Sequence, residues 1–263
     1  MDWALFLWAW LVTTPIMMGL WLAYRWYHRN AALADVGYCM GFGLVAIGLG
    51  LVTVGDVTHR IVVAVMGAGY AFRLGGYIFR ARIINATEDP RYQSLREKLG
   101  GRAEWWFFVY FIGQGLAIAV LSVPLLVLMA NPEATWSIWE MGGILIWAIG
   151  VGGETIADGQ LNRFRRQSSN RGKTCREGLW RYSRHPNYFF EGVHWCAYVV
   201  MSVGLSDGWL TLVGPVLMIW ALLKVTGIPF AEAQALASRG DDYRDYQRTT
   251  NAFIPWFPKE ANR

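Results

Sequence analysis

Residues 178–195 read GLWRYSRHPNYFFEGVHW, a basic, aromatic and Pro-broken cluster placed directly before an apolar run. Arg181, Arg184 and His185 precede Pro186, which suits the first turn of a helix because its missing N–H is not needed there. A helix opening at residues 185–187 turns its free N–H groups and positive dipole end toward these cations, which makes an anion site. Asn187, Glu191 and His194/Trp195 continue from that start at helical spacing. Upstream, Arg163, Arg165, Arg166 and Lys173 are placed to close over the same anion. The expected ligand is therefore large and polyanionic, with one part dipping between helices. Read only as topology anchors, the basic residues leave the inward line of Asn187 and Glu191 unexplained.

Other polar residues stand inside apolar runs, where they are costly in lipid and commonly functional. Asp35 opens one run. Tyr70, Arg73 and Tyr77 share a helix face by their spacing. Glu154 and Asp158 stand four apart, with Arg165 seven beyond the aspartate, and Lys224 and Glu232 flank the last run. A membrane tyrosine is more often a packing residue, and Asp35 near a run's end can simply cap its helix. Arg73 in mid-span needs a partner or a polar cavity, and two acids four apart repel unless donors lie between them. Together these faces predict a buried polar cavity toward the cytoplasmic half.

The elements that must position these residues follow from composition. The 263 residues are 54% hydrophobic and 16% charged, against about 25% charged in a soluble domain. Seven apolar runs, 3–24, 37–54, 61–79, 105–129, 137–158, 188–205 and 209–230, suit helices crossing a bilayer core of about 30 Å. With the N-terminus outside, the inward segments 25–36, 80–104, 159–187 and 231–263 hold 21 of the 24 Lys and Arg residues. The outward loops hold only Arg60. The positive-inside rule thus predicts an all-α integral membrane protein with seven transmembrane helices, N-terminus outside and C-terminus cytoplasmic. The whole chain, 1–263, reads as a single membrane domain.

The net charge of +5 belongs to that cytoplasmic face and to anionic membrane lipids, so no nucleic acid is expected. Met1-Asp2-Trp3 lacks the basic start of a signal peptide. Cys39, Cys175 and Cys196 are odd in number and scattered, neither a disulfide framework nor a metal site. Gly41-Phe42-Gly43 with Ala46 matches a loose dinucleotide fingerprint, but it lies inside an apolar helix rather than after a strand. Glu191 and His194 form one copy of a motif that di-iron sites need twice, so no metal is expected. Asn85-Ala86-Thr87 is a formal glycosylation sequon made inert by its predicted cytoplasmic side.

The stretches ETIADGQLNRF (154–164), GLWRYSRHPNYFFE (178–191), GIPFAEAQ (227–234) and FIPWFP (253–258) resemble the steroid 5-alpha-reductase superfamily, its bacterial membrane members above all. The resemblance is dense over about 140–258, the expected cofactor-binding core region, and thinner over 35–104. It implies a seven-helix membrane reductase that takes NADPH from the cytoplasm and reduces the 4,5 double bond of a 3-oxo-4-ene steroid or related enone lipid. Asp158, Arg165, Lys173, Tyr182, Asn187 and Glu191 fall where that family holds the dinucleotide, with Arg184 and His185 beside them and Trp195 on the substrate side. Tyr70 resembles the family's carbonyl-facing tyrosine, followed by Arg73 and Tyr77 on the nicotinamide side, and Asp35 takes the place of its acidic partner. Glu154 departs from the asparagine of the animal enzymes, and residues 227–234 lack their His and Arg pattern. The implied location is a bacterial inner membrane, or the endoplasmic reticulum in a eukaryote.

That chemistry is sound from below. Hydride addition to the far carbon of an enone leaves an enolate, whose oxygen needs donors placed beforehand in a dry site. A tyrosine hydroxyl beside a carboxylic acid kept neutral is one known solution. The Arg-His-Pro-x-Tyr core is shared with isoprenylcysteine carboxyl methyltransferases, which makes an S-adenosylmethionine-dependent methyltransferase the rival reading. Those enzymes usually carry Arg-Glu-Glu after the last span, where this chain has Ala231-Glu232-Ala233-Gln234. A non-catalytic sterol-binding protein is the third reading, and it predicts no cofactor affinity.

Overall fold

A computed structural model describes residues 3–84, 88 and 90–259. The sequon at Asn85 lies outside them. Eleven α-helices are described: α1 Trp3–Ala23, α2 Ala32–Val52, α3 Val57–Ile78, α4 Pro90–Leu99, α5 Ala103–Leu121, α6 Val123–Met129, α7 Ile138–Arg166, α8 Pro186–Met201, α9 Val213–Trp220, α10 Ile228–Arg239 and α11 Asp241–Thr249. Wider π turns prolong α1, α3 and α9, and no strand occurs among the described residues. The dinucleotide look-alike Gly41-Phe42-Gly43 sits inside α2, where Gly41 faces Ile118 and Gly43 faces Phe72.

Five helical stretches among the described residues are long and apolar enough to cross a membrane: Trp3–Trp26, Ala32–Val52, Val57–Ile84, Tyr92–Met129 and Gly208–Arg239. Their apolar side chains face outward at many points, Leu11, Leu51, Val65 and Val216 among them. That is the build of an integral membrane protein, in which lipid covers apolar surface. Two of the seven expected runs are not in this set, for visible reasons. The run at 137–158 lies in α7, which carries Glu140, Glu154 and Asp158, and the run at 188–205 lies in α8, which has only 16 residues.

The chain divides into two compact units, Met1–Ile138 with Ser202–Gly214, and Trp139–Met201 with Pro215–Arg263. In the first, α2 and α3 form an antiparallel hairpin, brought close where Gly43 meets Phe72 and Gly67 meets Ala46 and Leu125. Asp56 caps α3 by accepting from the backbone N–H groups of Thr58 (2.9 Å) and His59 (3.1 Å). Arg60 donates to the last-turn carbonyls of Gly50 and Leu51, both at 2.9 Å, so it closes the C-terminus of α2. α1 lies against α5, with the Thr13 hydroxyl donating to Gly115 O at 3.2 Å.

In the second unit α7 and α8 cross at small residues. A Cβ on Gly150 would stand 2.6 Å from the backbone nitrogen of His194, and one on Gly143 would stand 2.7 Å from Ala197 O. Backbone contact this close fixes the level at which the polar residues of α7 meet those of α8.

Candidate functional site

The polar residues singled out by type and spacing fall into two groups, one in each unit. In the second unit, the Asn187 side-chain amide at the start of α8 donates to Asp158 on α7 at 3.2 Å. One helical turn further, the Trp195 indole N–H donates to Glu191 Oε1 at 2.9 Å. His194 follows on the same helix, with Nδ1 4.0 Å from Glu191 Oε2 and Nε2 3.5 Å from the Tyr198 hydroxyl. Glu154, Asp158, Glu191, His194, Trp195 and Tyr198 are all buried. Of the two acids four apart on α7, Asp158 thus meets a polar group of α8, and Glu154 is buried one turn before it. The buried Oδ1 of Asn187 carries no hydrogen bond, so a ligand donor has a place to bind beside Asp158.

The C-terminal end of α7 supplies cations. Gly159, Asn162, Arg163, Arg166 and Gln167 line a shallow depression open to solvent there. Arg165 and Lys173 are exposed nearby in sequence, and Tyr182 is exposed with its ring edge toward Phe257.

Arg184 and His185 differ from expectation. They are not open to an anion, because Glu232 on α10 engages both. Arg184 donates to Glu232 through Nε at 2.7 Å and to the carbonyls of Gln247 and Thr250 at 3.2 and 2.5 Å. The His185 ring meets the same Glu232 oxygen at 3.3 Å and stacks on Tyr188. Burial pushes the His185 imidazole below its ordinary value, against the opposing pull of Glu232, so it is neutral at pH 7 rather than cationic. Gln247 and Tyr243 complete the ring of donors around Glu232. Burial raises the Tyr243 phenol to about 12, which keeps it a donor. The Tyr246 hydroxyl donates to the carbonyls of Trp180 and Ser183. Arg184 and His185 therefore clamp the 178–187 loop to α10 and α11. Spacing gave no hint of this, since Glu232 lies 48 residues from Arg184.

In the first unit Asp35 is an acceptor. Its Oδ1 takes hydrogen bonds from the hydroxyls of Tyr92 (2.7 Å) and Tyr110 (3.0 Å), and Oδ2 takes one from Arg82 at 2.9 Å. The two phenols also lie 2.9 Å apart. Three donors, one a guanidinium, thus converge on the Asp35 carboxyl. Arg96 continues the polar belt, reaching Tyr24 OH at 2.6 Å and Glu88 at 2.5 Å.

Tyr70 is buried in α3 with its ring edge-on to Phe42. Asp35 lies seven residues before Phe42 on α2, about 10 Å of helical rise, so the two stand at different levels of the hairpin. Arg73 and Tyr77 follow Tyr70 on α3, both half-buried, and the Nε and Nη2 of Arg73 are shielded from solvent.

No curated protein and no solved structure matches the chain. One family model does, over residues 20–250, which include both polar groups. That match takes in most of the 263 residues, and the chain accordingly belongs to the family described as protein of unknown function DUF1295.

Proposed function

We propose that this protein is an NADPH-dependent membrane reductase acting on the 4,5 double bond of a 3-oxo-4-ene steroid or a related enone lipid. The chain crosses the membrane seven times, with its N-terminus outside and its C-terminus and cofactor entrance in the cytoplasm. The observation that carries the reading is the pair formed by Asp158 and Asn187 across α7 and α8, with an unused acceptor on Asn187. It continues along α8 to Glu191 and Trp195. A dinucleotide needs such a line, with acceptors for its amide and ribose groups next to cations for its phosphates.

Asp158, Asn187 and Glu191 bind the cofactor in this reading, with Arg165, Lys173 and Tyr182 toward its phosphates. Arg184 and His185 act through Glu232, holding the loop that presents the others. The family resemblance assigns Arg73 and Tyr77 to the nicotinamide end and Trp195 to the lipid substrate. NADPH, when bound, supplies hydride to the far carbon of the enone. The Tyr70 hydroxyl donates to the ketone oxygen as negative charge gathers there, and the dry helix interior makes that donor count for more than it would in water. Asp35, as an acceptor for Tyr92 and Tyr110, orders the helix ends around that region. The sterol arrives from lipid and the cofactor from water.

The test is binding of NADPH, NADH and S-adenosylmethionine to detergent-purified protein. NADPH is expected to bind most tightly. Charge-assisted contacts are worth about 1.5–3 kcal/mol each, so Arg165→Ala is expected to weaken it tenfold or more, and Asn187→Ala, which removes a neutral acceptor worth about 0.5–1.5 kcal/mol, about two- to tenfold. S-adenosylmethionine binding without either dinucleotide would replace this reading with a methyltransferase.

A further inference from the structure

The segment that follows α11 displays its largest apolar side chains outward. Ile254, Trp256 and Phe257 are 61%, 66% and 73% exposed, whereas Phe253, Pro255 and Pro258 between and beside them are half-buried. This is not a loose end. The Ser183 hydroxyl donates to Phe253 O at 2.8 Å, Arg184 N to Asn251 O at 2.9 Å, Trp256 N to Tyr182 O at 2.9 Å, and Lys259 N to Thr249 O at 2.8 Å. The backbone is held at both ends and in the middle, so the exposed rings are presented by a fixed frame.

Two further observations say what covers them. Phe253, the inward residue of the segment, packs on Phe189 in the first turn of α8. It also approaches the site of Gly192, beside Ile219, which belongs to a stretch long and apolar enough to cross a membrane. The inward residue of the segment is therefore level with the first two turns of α8. Cations flank its rings: Arg181 and Lys259 are exposed next to Tyr182 and Phe257, and the first acidic residue after Thr250 is Glu260. Aromatic rings interleaved with cations at the end of apolar helices match the headgroup level of a bilayer, where such rings have an apolar body to bury and cations meet anionic lipid.

We propose that residues 254–258 form an interfacial platform that seats Trp256 and Phe257 at the headgroup–acyl boundary of the bilayer that carries the chain, with Arg181 and Lys259 toward anionic headgroups. Through its bonds to Tyr182, Ser183 and Arg184 the platform ties the loop before α8 to the membrane surface. Nothing in this depends on the reductase reading.

The test uses full-length protein in vesicles of phosphatidylcholine and phosphatidylglycerol. Spin labels are placed singly by Phe257→Cys, Ile254→Cys and, as a water-exposed reference, Asp241→Cys, whose native side chain is 92% exposed. Background labelling is subtracted with the wild-type chain, in which Cys39 and Cys175 are buried. Accessibility to lipid-soluble oxygen and to a water-soluble nickel chelate is then compared. The oxygen-to-nickel ratio at 257 and 254 is expected to exceed that at 241 severalfold. A ratio at both positions equal to that at 241 would place the segment in water and overturn the proposal. Shielding from both reagents would also overturn it, since a second copy or another protein would then be the occupant. Because 254 and 257 both face outward, one label still decides the matter if the other disturbs the fold.

Discussion

Removing one hydroxyl separates a donor from a packing ring. Tyr70→Phe keeps the edge-on contact with Phe42 and takes away only the O–H. If that O–H supports a developing enolate, its loss is expected to lower turnover by about 100- to 1000-fold. NADPH affinity should be nearly unchanged, because Arg73 and Tyr77 remain. The measurement is NADPH-dependent reduction of a 3-oxo-4-ene steroid by both proteins, with cofactor binding alongside; activity within about threefold of wild type would return Tyr70 to packing. Tyr70 is singled out by sequence because it stands three and seven residues from other polar groups on one helix face. The partners of Asp35 were not, since Tyr92 and Tyr110 lie 57 and 75 residues away, and no local spacing encodes a contact between helix ends.

His185 gives a second prediction at this scale. Its folded value lies below the ordinary one because it is buried, with Glu232 and Arg184 the charged groups around it. The unfolded chain therefore takes up this proton first as pH falls, at about 6.5, and the folded state loses stability from there downward. His185→Gln keeps an N–H for Glu232 but has no proton to gain. Thermal melts from about pH 7.5 to about pH 5.5, spanning the ordinary histidine value, are expected to fall less steeply for the variant. Parallel curves would show that His185 titrates alike in both states.

Between elements, glycine placement decides how closely α7 and α8 approach. Gly150 lies against the backbone of His194, whereas Gly152, two residues on, has open space around its Cβ position. Gly150→Ala must push the helices apart, at a cost of about 1–3 kcal/mol. Gly152→Ala adds a better helix former at an open site, a gain of up to about 1 kcal/mol. Thermal melts in detergent should rank Gly152→Ala at or above wild type and Gly150→Ala clearly below; equal melting of the two would sink the close-packing argument. The starts of both helices were legible from the apolar runs and Pro186, whereas α7 continues eight residues past its run and α8 stops four short of its own. Their pairing was not, because α7 has glycines on several faces and only the packed structure tells which of them meet a neighbour.

At the scale of the whole chain, α7 and α8 decide whether the number of spans is five or seven. α8 has 16 residues, about 24 Å of helix, against a hydrocarbon core of about 30 Å. A short span is accommodated by local thinning of the bilayer or by flanking side chains at modest cost, and α8 is flanked by the cations and aromatics of 178–188. The distribution of charge argues for crossing. If α7 and α8 stayed on one side, the segment 159–187, with eight of the 24 basic residues, would lie outside, against the positive-inside rule. Arg60, the one basic residue expected outside, is no counterexample, since it is bound to the carbonyls ending α2. Reporter fusions distinguish the two cases. Fusions at Pro132 and Asp207 are expected to report the outer side in either, and a fusion at Lys259 the cytoplasm. Lys173 is decisive: seven spans place it in the cytoplasm, five place it outside. An outer signal at Lys173 would remove α7 and α8 from the set of spans and leave the Asp158–Asn187 pair facing the wrong compartment for a cytoplasmic dinucleotide.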